Sequence, residues 1–101
     1  MAAVALVDVD LFFRAKIEAM LTASGHRLAG AGETADVVIA DVNRGDPEAV
    51  VAAAGGIPVL GFGRHTDPAL LRAARSAGFV KVVPRSVLAE RLGELIAELV
   101  G

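Results

Sequence analysis

Three carboxylates stand where α/β proteins do chemistry: Asp8, Asp10 and Asp41. Asp8 and Asp10 follow the apolar run Val4-Ala5-Leu6-Val7, and Asp41 closes Asp36-Val37-Val38-Ile39-Ala40-Asp41. Both runs are short, unalternated and rich in β-branched residues, the pattern of strands buried on both faces. Acids at the carboxyl ends of neighbouring parallel strands meet in the crevice where open α/β sheets hold their ligands. Grouped carboxylate oxygens are what Mg²⁺ requires, and one carboxylate of such a group can accept a phosphoryl group. The chemical reading makes Asp8, Asp10 and Asp41 metal ligands and Asp41 a phosphoacceptor. The structural reading makes Asp8 and Asp41 loop caps and Asp10 the cap of the following helix, and for Asp10 the cap is the stronger of the two.

The chain surrounding these acids is short and aliphatic. Its 101 residues are 54% apolar with a net charge of −2, enough for one domain with its own core and too apolar for a disordered chain. Every apolar run is broken by charge or glycine well before the ~20 residues of a membrane helix. Met1-Ala2-Ala3-Val4 has no basic region before it, so it is not read as a signal peptide. The absence of cysteine excludes disulfides and thiol chemistry. The arginines are scattered, with only Arg72 and Arg75 one turn apart, which gives no pull toward nucleic acid. A soluble cytoplasmic protein is expected.

Between the acids, strands alternate with helices. From Leu11 the apolar period becomes helical: Phe13, Ile17, Met20 and Leu21 share a face that ends at Ser24-Gly25. Phe12 falls at the margin of that stripe and is expected half-buried. His26-Arg27-Leu28-Ala29-Gly30 reads as a polar edge strand with His26 facing solvent. The link 31–35 is too short for a crossover helix, which takes about a dozen residues or more, so a turn or an extended strap should replace it. Asp46-Pro47 and Asp67-Pro68 each pair a cap with a first-turn proline. The first opens a helix to Ala54 and the second one that ends at Gly78. Ile57-Pro58-Val59-Leu60-Gly61-Phe62 and Phe79-Val80-Lys81-Val82-Val83 are the remaining strands, and Pro84 stops the latter. Gly63-Arg64-His65-Thr66 reads as a loop with His65 at the surface. Ser86 opens the last helix, whose face carries Val87, Leu88, Leu92, Leu95, Ile96 and Leu99. An α/β sandwich of three layers follows.

In this order the elements resemble the receiver domain of two-component response regulators, nearly end to end. That resemblance implies a flavodoxin-like fold: a five-stranded, mainly parallel sheet of order 2-1-3-4-5, here with the second crossover helix reduced or missing. The family keeps an acidic pair, a phosphoacceptor aspartate, a hydroxyl residue, and a lysine before proline. Asp8 matches the first acid and Asp41 the phosphoacceptor. Val9 replaces the second acid, with Asp10 one position late. Gly63 replaces the hydroxyl residue, Val83 the lysine and Val80 the switch aromatic. Lys81 and Arg64 are the available substitutes, and Asn43, Gly63, Arg64, Lys81 and Val83 are expected to line the pocket. Valine and glycine side chains cannot neutralise or hydrogen-bond phosphoryl oxygens.

The resulting reading is a degenerate receiver that acts through protein contacts, with no cofactor and no turnover of its own. A protein partner, or a second copy of the chain, would sit where the missing helix thins the cover of the sheet, or else on the last helix. Two alternatives remain: an Mg²⁺-dependent phosphoacceptor at Asp41, and a small phosphatase. The second rests on Asp8-Val9-Asp10, which resembles the opening motif of haloacid-dehalogenase-type enzymes. There Leu11-Phe12 departs from the small or hydroxyl residue usual in that motif.

Overall fold

The computed structural model describes residues 1–64 and 67–100. Its elements run β1 (Ala3–Val7), α1 (Leu11–Ala23), β2 (Arg27–Leu28), β3 (Val37–Asp41), α2 (Pro47–Ala54), β4 (Val59–Gly63), α3 (Pro68–Ala77), β5 (Lys81–Pro84) and α4 (Arg85–Val100). The strands form one five-stranded sheet of order β2-β1-β3-β4-β5, and every pairing is parallel. This is the flavodoxin-like order 2-1-3-4-5 expected above, and β3 is its central strand. All of β3 is buried, as its unalternated apolar run requires.

Successive β3 residues serve opposite faces. Val37 and Ile39 join Val4, Leu60, Phe62 and Val83 against α1 and α4, which contribute Phe13, Ile17, Leu21, Leu88, Leu92, Leu95 and Ile96. The Phe13 and Phe62 rings, 5.0 Å apart and tilted by 55°, tie α1 to β4. Val38, Ala40 and Val42 turn the other way and pack with Val50 of α2, Ala74 of α3, Phe79 and Val82. Here Gly61 lets the Phe79 ring lie close across β4, since a Cβ at Gly61 would stand 2.5 Å from it.

No helix joins β2 to β3. The chain turns at Ala31-Gly32 and returns as an extended strap, pinned by an ion pair between Arg27 and Glu33. The Gly30 amide donates to Glu33 Oε1 (2.8 Å), and the Ala3 amide donates to Asp36 Oδ2 (2.9 Å). Ala5 and Val7 are consequently only half-buried. They border a groove of about 300 Å³, which is also lined by Thr34, Val38 and Ala53.

Several local expectations change. Phe12 is 91% exposed, because the buried positions of α1 are Phe13, Ile17 and Leu21 and Phe12 sits about 100° round the helix from that stripe. His26 is half-buried rather than solvent-facing, and its Nδ1 accepts the Ala2 amide at 2.9 Å. Pro84 belongs to β5, an edge strand where its missing N–H interrupts no ladder. The last helix begins at Arg85 rather than Ser86, and it bends at Arg91.

Candidate functional site

The carboxyl ends of β1, β3 and β4 meet at the crevice where strand order reverses. Asp41, the last residue of β3, is buried there, 7% exposed. Its Oδ1 accepts the Asn43 amide at 2.9 Å, an Asx turn that sends the chain out of the strand. Asn43 Oδ1 in turn accepts the Arg64 amide at 3.0 Å, so one side chain ties the loop after β3 to the end of β4. Gly63 lies beneath this tie. A Cβ there would stand 2.6 Å from Val42 Cγ2 and 2.8 Å from Asn43 Oδ1, so the place of a hydroxyl residue is already filled.

The two acids of the β1 exit have separate engagements. Asp10 caps α1, with Oδ1 accepting the Phe13 amide at 2.9 Å. Its Oδ2 meets Arg85 Nη2 at 3.3 Å. The Phe13 amide first, then the Arg85 and Arg44 charges, hold the Asp10 carboxyl below its ordinary range against a smaller opposing effect of burial. Asp8 is exposed with φ +57°, and its carboxylate lies over Gly45, where a Cβ would overlap it. Among the described residues no three His, Cys, Asp or Glu side chains are grouped closely enough to hold a metal ion.

Arginines share a pocket with two of the acids. A pocket of about 260 Å³ is lined by Asp10, Asp41, Asn43, Phe62 and Gly63 together with Arg44, Arg64 and Arg85. Arg85 lies over the Phe13 ring, its guanidinium carbon 4.0 Å from the centroid.

Asn43, Gly63 and Arg64 thus line the pocket as expected, whereas Lys81 and Val83 do not. Lys81 starts β5 in register with Leu60, which puts it level with Ile39 and two residues short of Asp41 along the sheet. Its Nζ pairs there with Glu98 Oε2 at 2.9 Å, a bond that lowers the Glu98 pKa. Val83 is buried in the core with Phe62 and Leu88. His65 and Thr66 lie outside the described residues. Arg44, Phe62 and Arg85 are the pocket residues that sequence reasoning missed. The available signal for Arg85 was its position: it directly follows the last parallel strand, and so emerges at the same sheet edge as Asp41.

No family model and no curated protein matches the sequence. Solved structures do match it. The chain is similar to a response regulator from Thermotoga maritima, with TM-score 0.78 and 17% identity over 97% of this chain and 96% of that one. It is similar to a response regulator receiver domain protein from Clostridium thermocellum, with TM-score 0.80 and 16% identity over 99% and 94%. A response regulator protein from Burkholderia multivorans gives TM-score 0.68 and 23% identity over 100% and 97%. With its sheet order, its central Asp41 strand and this end-to-end likeness, the chain has the fold of a response regulator receiver domain.

Proposed function

We propose that this domain is a receiver-like signalling module that works through protein contacts and independently of phosphorylation at Asp41. The observation that carries the reading is the bond between Arg85 and Asp10. It engages one of the two acids that flank Val9, the position of the missing metal ligand, and it brings a cation into the pocket beside Asp41. The crowding at Gly63 and the burial of Val83 support it, because they leave neither a hydroxyl nor an ammonium group at those positions to meet a phosphoryl group. On this reading the domain uses no cofactor, turns over no substrate and acts in the cytoplasm. No helix among the described residues is long and apolar enough to cross a membrane.

The contact surface we favour is the sheet face left bare by the strap, bordered by Ala5, Val7 and Val38. A second copy of the chain is the simplest occupant. Light scattering across a concentration series should show self-association that Ala53→Arg abolishes. A strict monomer at high concentration rejects the self-associating form.

Phosphorylation at Asp41 is the competing reading, and one observation favours it. Arg44, Arg64 and Arg85 line the Asp41 pocket and could balance a phosphoryl charge. Incubation with a small phosphodonor and Mg²⁺, followed by intact-mass measurement, separates the two. An unchanged mass supports the proposed module. A gain of one phosphoryl group that disappears in Asp41→Asn overturns it.

A further inference from the structure

Beside the acidic pocket lies a second and larger depression, about 710 Å³, between α1 and the start of α4. Its size falls within the range of small-molecule sites, roughly 300–1,000 Å³. Its walls divide by chemistry. Phe12, Phe13 and Ala89 supply apolar surface, and Lys16, Arg64 and Arg85 supply positive charge. No carboxylate lines it; Asp10 belongs to the adjoining pocket and is already bonded to Arg85. The two depressions share Gly63, Arg64 and Arg85, so the cations gather at their junction.

Two features point to an occupant. Phe12 exposes 91% of its surface at the groove, with Lys16 one helical turn further along α1. An exposed aromatic ring beside a cation matches a ligand that is apolar at one end and negative at the other. Arg85 makes one bond to Asp10, at 3.3 Å, and a guanidinium has five N–H donors. Among the described residues neither Lys16 nor Arg64 is in an ion pair.

We propose that this groove binds a small aromatic anion, with its ring against Phe12 and its carboxylate, sulfonate or phosphate between Arg64 and Arg85. Asp10 and Asp41, at the inner end of the adjoining pocket, repel an anion that enters further and hold its head at the junction. A ligand input of this kind goes beyond the phosphorylation-independent reading and does not depend on it. A mass gain at Asp41 would sink that reading and leave the binding result standing.

The probe is anilinonaphthalene sulfonate, titrated into the folded domain by fluorescence and by amide chemical-shift mapping. The expected result is saturable one-to-one binding, with shifts centred on Phe12, Lys16 and Ala89. The exposed-site variants Phe12→Ser and Arg64→Glu should each weaken it about tenfold, the loss of one stacking or charge-assisted contact. Phenylnaphthylamine, which lacks the sulfonate, should bind at least as weakly as the probe does to Arg64→Glu. Any of three results overturns the proposal: equal binding by the neutral analogue, insensitivity to both variants, or shifts centred on Ala5, Val7 and Ala53. Absence of binding to a domain whose amide spectrum is that of a folded protein overturns it as well.

Discussion

The guanidinium of Arg85 lies over Phe13, its central carbon 4.0 Å from the ring centroid. It joins the first residue of α4 to the first turn of α1, across a separation of many residues. An exposed cation–π contact of this kind contributes about 0.5–1 kcal/mol. Arg85→Ala, which also removes the bond to Asp10, should lower stability by at least that amount in urea denaturation, and Arg85→Leu, which keeps apolar contact with the ring, should recover part of it. An Arg85→Ala domain as stable as the parent would show that the contact contributes nothing.

Restoring a hydroxyl residue at Gly63 should be costly. The Cβ alone would press on Val42 and Asn43, and overpacking of this sort destabilises by about 1–3 kcal/mol. Gly63→Thr should therefore unfold at lower urea concentration. Gly63→Ala should cost less in a Val42→Ala background than in the parent, because the two side chains compete for one space. Strict additivity in that double-mutant cycle would place the clash elsewhere.

Of the aspartate caps, Asp10 should matter most. Its bond to the Phe13 amide is 2.9 Å and Arg85 adds to it, whereas Asp46 and Asp67 reach their amides at 3.3 Å. Asp10→Ala should depress the melting temperature more than Asp46→Ala, with Asp10→Asn falling between the parent and Asp10→Ala. Equal losses at the two positions would mean that the Arg85 bond adds no stability.

The strap predicts an acid dependence. Glu33 is lowered from about 4.5 to about 2, first by its bond from Arg27 and then by the Gly30 amide. A carboxylate whose folded pKa is depressed stabilises the fold above its unfolded value, and that contribution fades as pH falls through the folded one. Thermal melts should thus show the parent more stable than Glu33→Gln at neutral pH. The difference should shrink between about pH 4.5 and about pH 2 and vanish below. A gap that persists in acid would assign the Glu33 effect to something other than its charge.

The sheet was legible because its signals are local. The β-branched run at 37–39, the Asp-Pro helix starts at 46–47 and 67–68, and the short link at 31–35 each fix an element without reference to distant residues. The site was less legible because its defining contacts are not local. Asp10 and Arg85 are 75 positions apart, so no spacing rule connects them. Lys81 seemed a plausible substitute because it shares a strand face with Val83. Its partner decides the matter: it lies two residues short of the Asp41 level and pairs with Glu98. His26 was misplaced for a related reason, since its partner is the amide of Ala2, which only the folded sheet brings near.

The strap between β2 and β3 also bears on how the chain closes on itself. Loop-closure entropy grows slowly, by about 0.6 kcal/mol for each doubling of length, so omitting a helix here saves little when β3 docks beside β1. The effect falls instead on the surface, where Ala5 and Val7 keep area that a helix would hide. Connectivity at this point is therefore nearly neutral to length. The turn at Ala31-Gly32 lies outside the ladders, so an inserted segment there breaks no strand pairing.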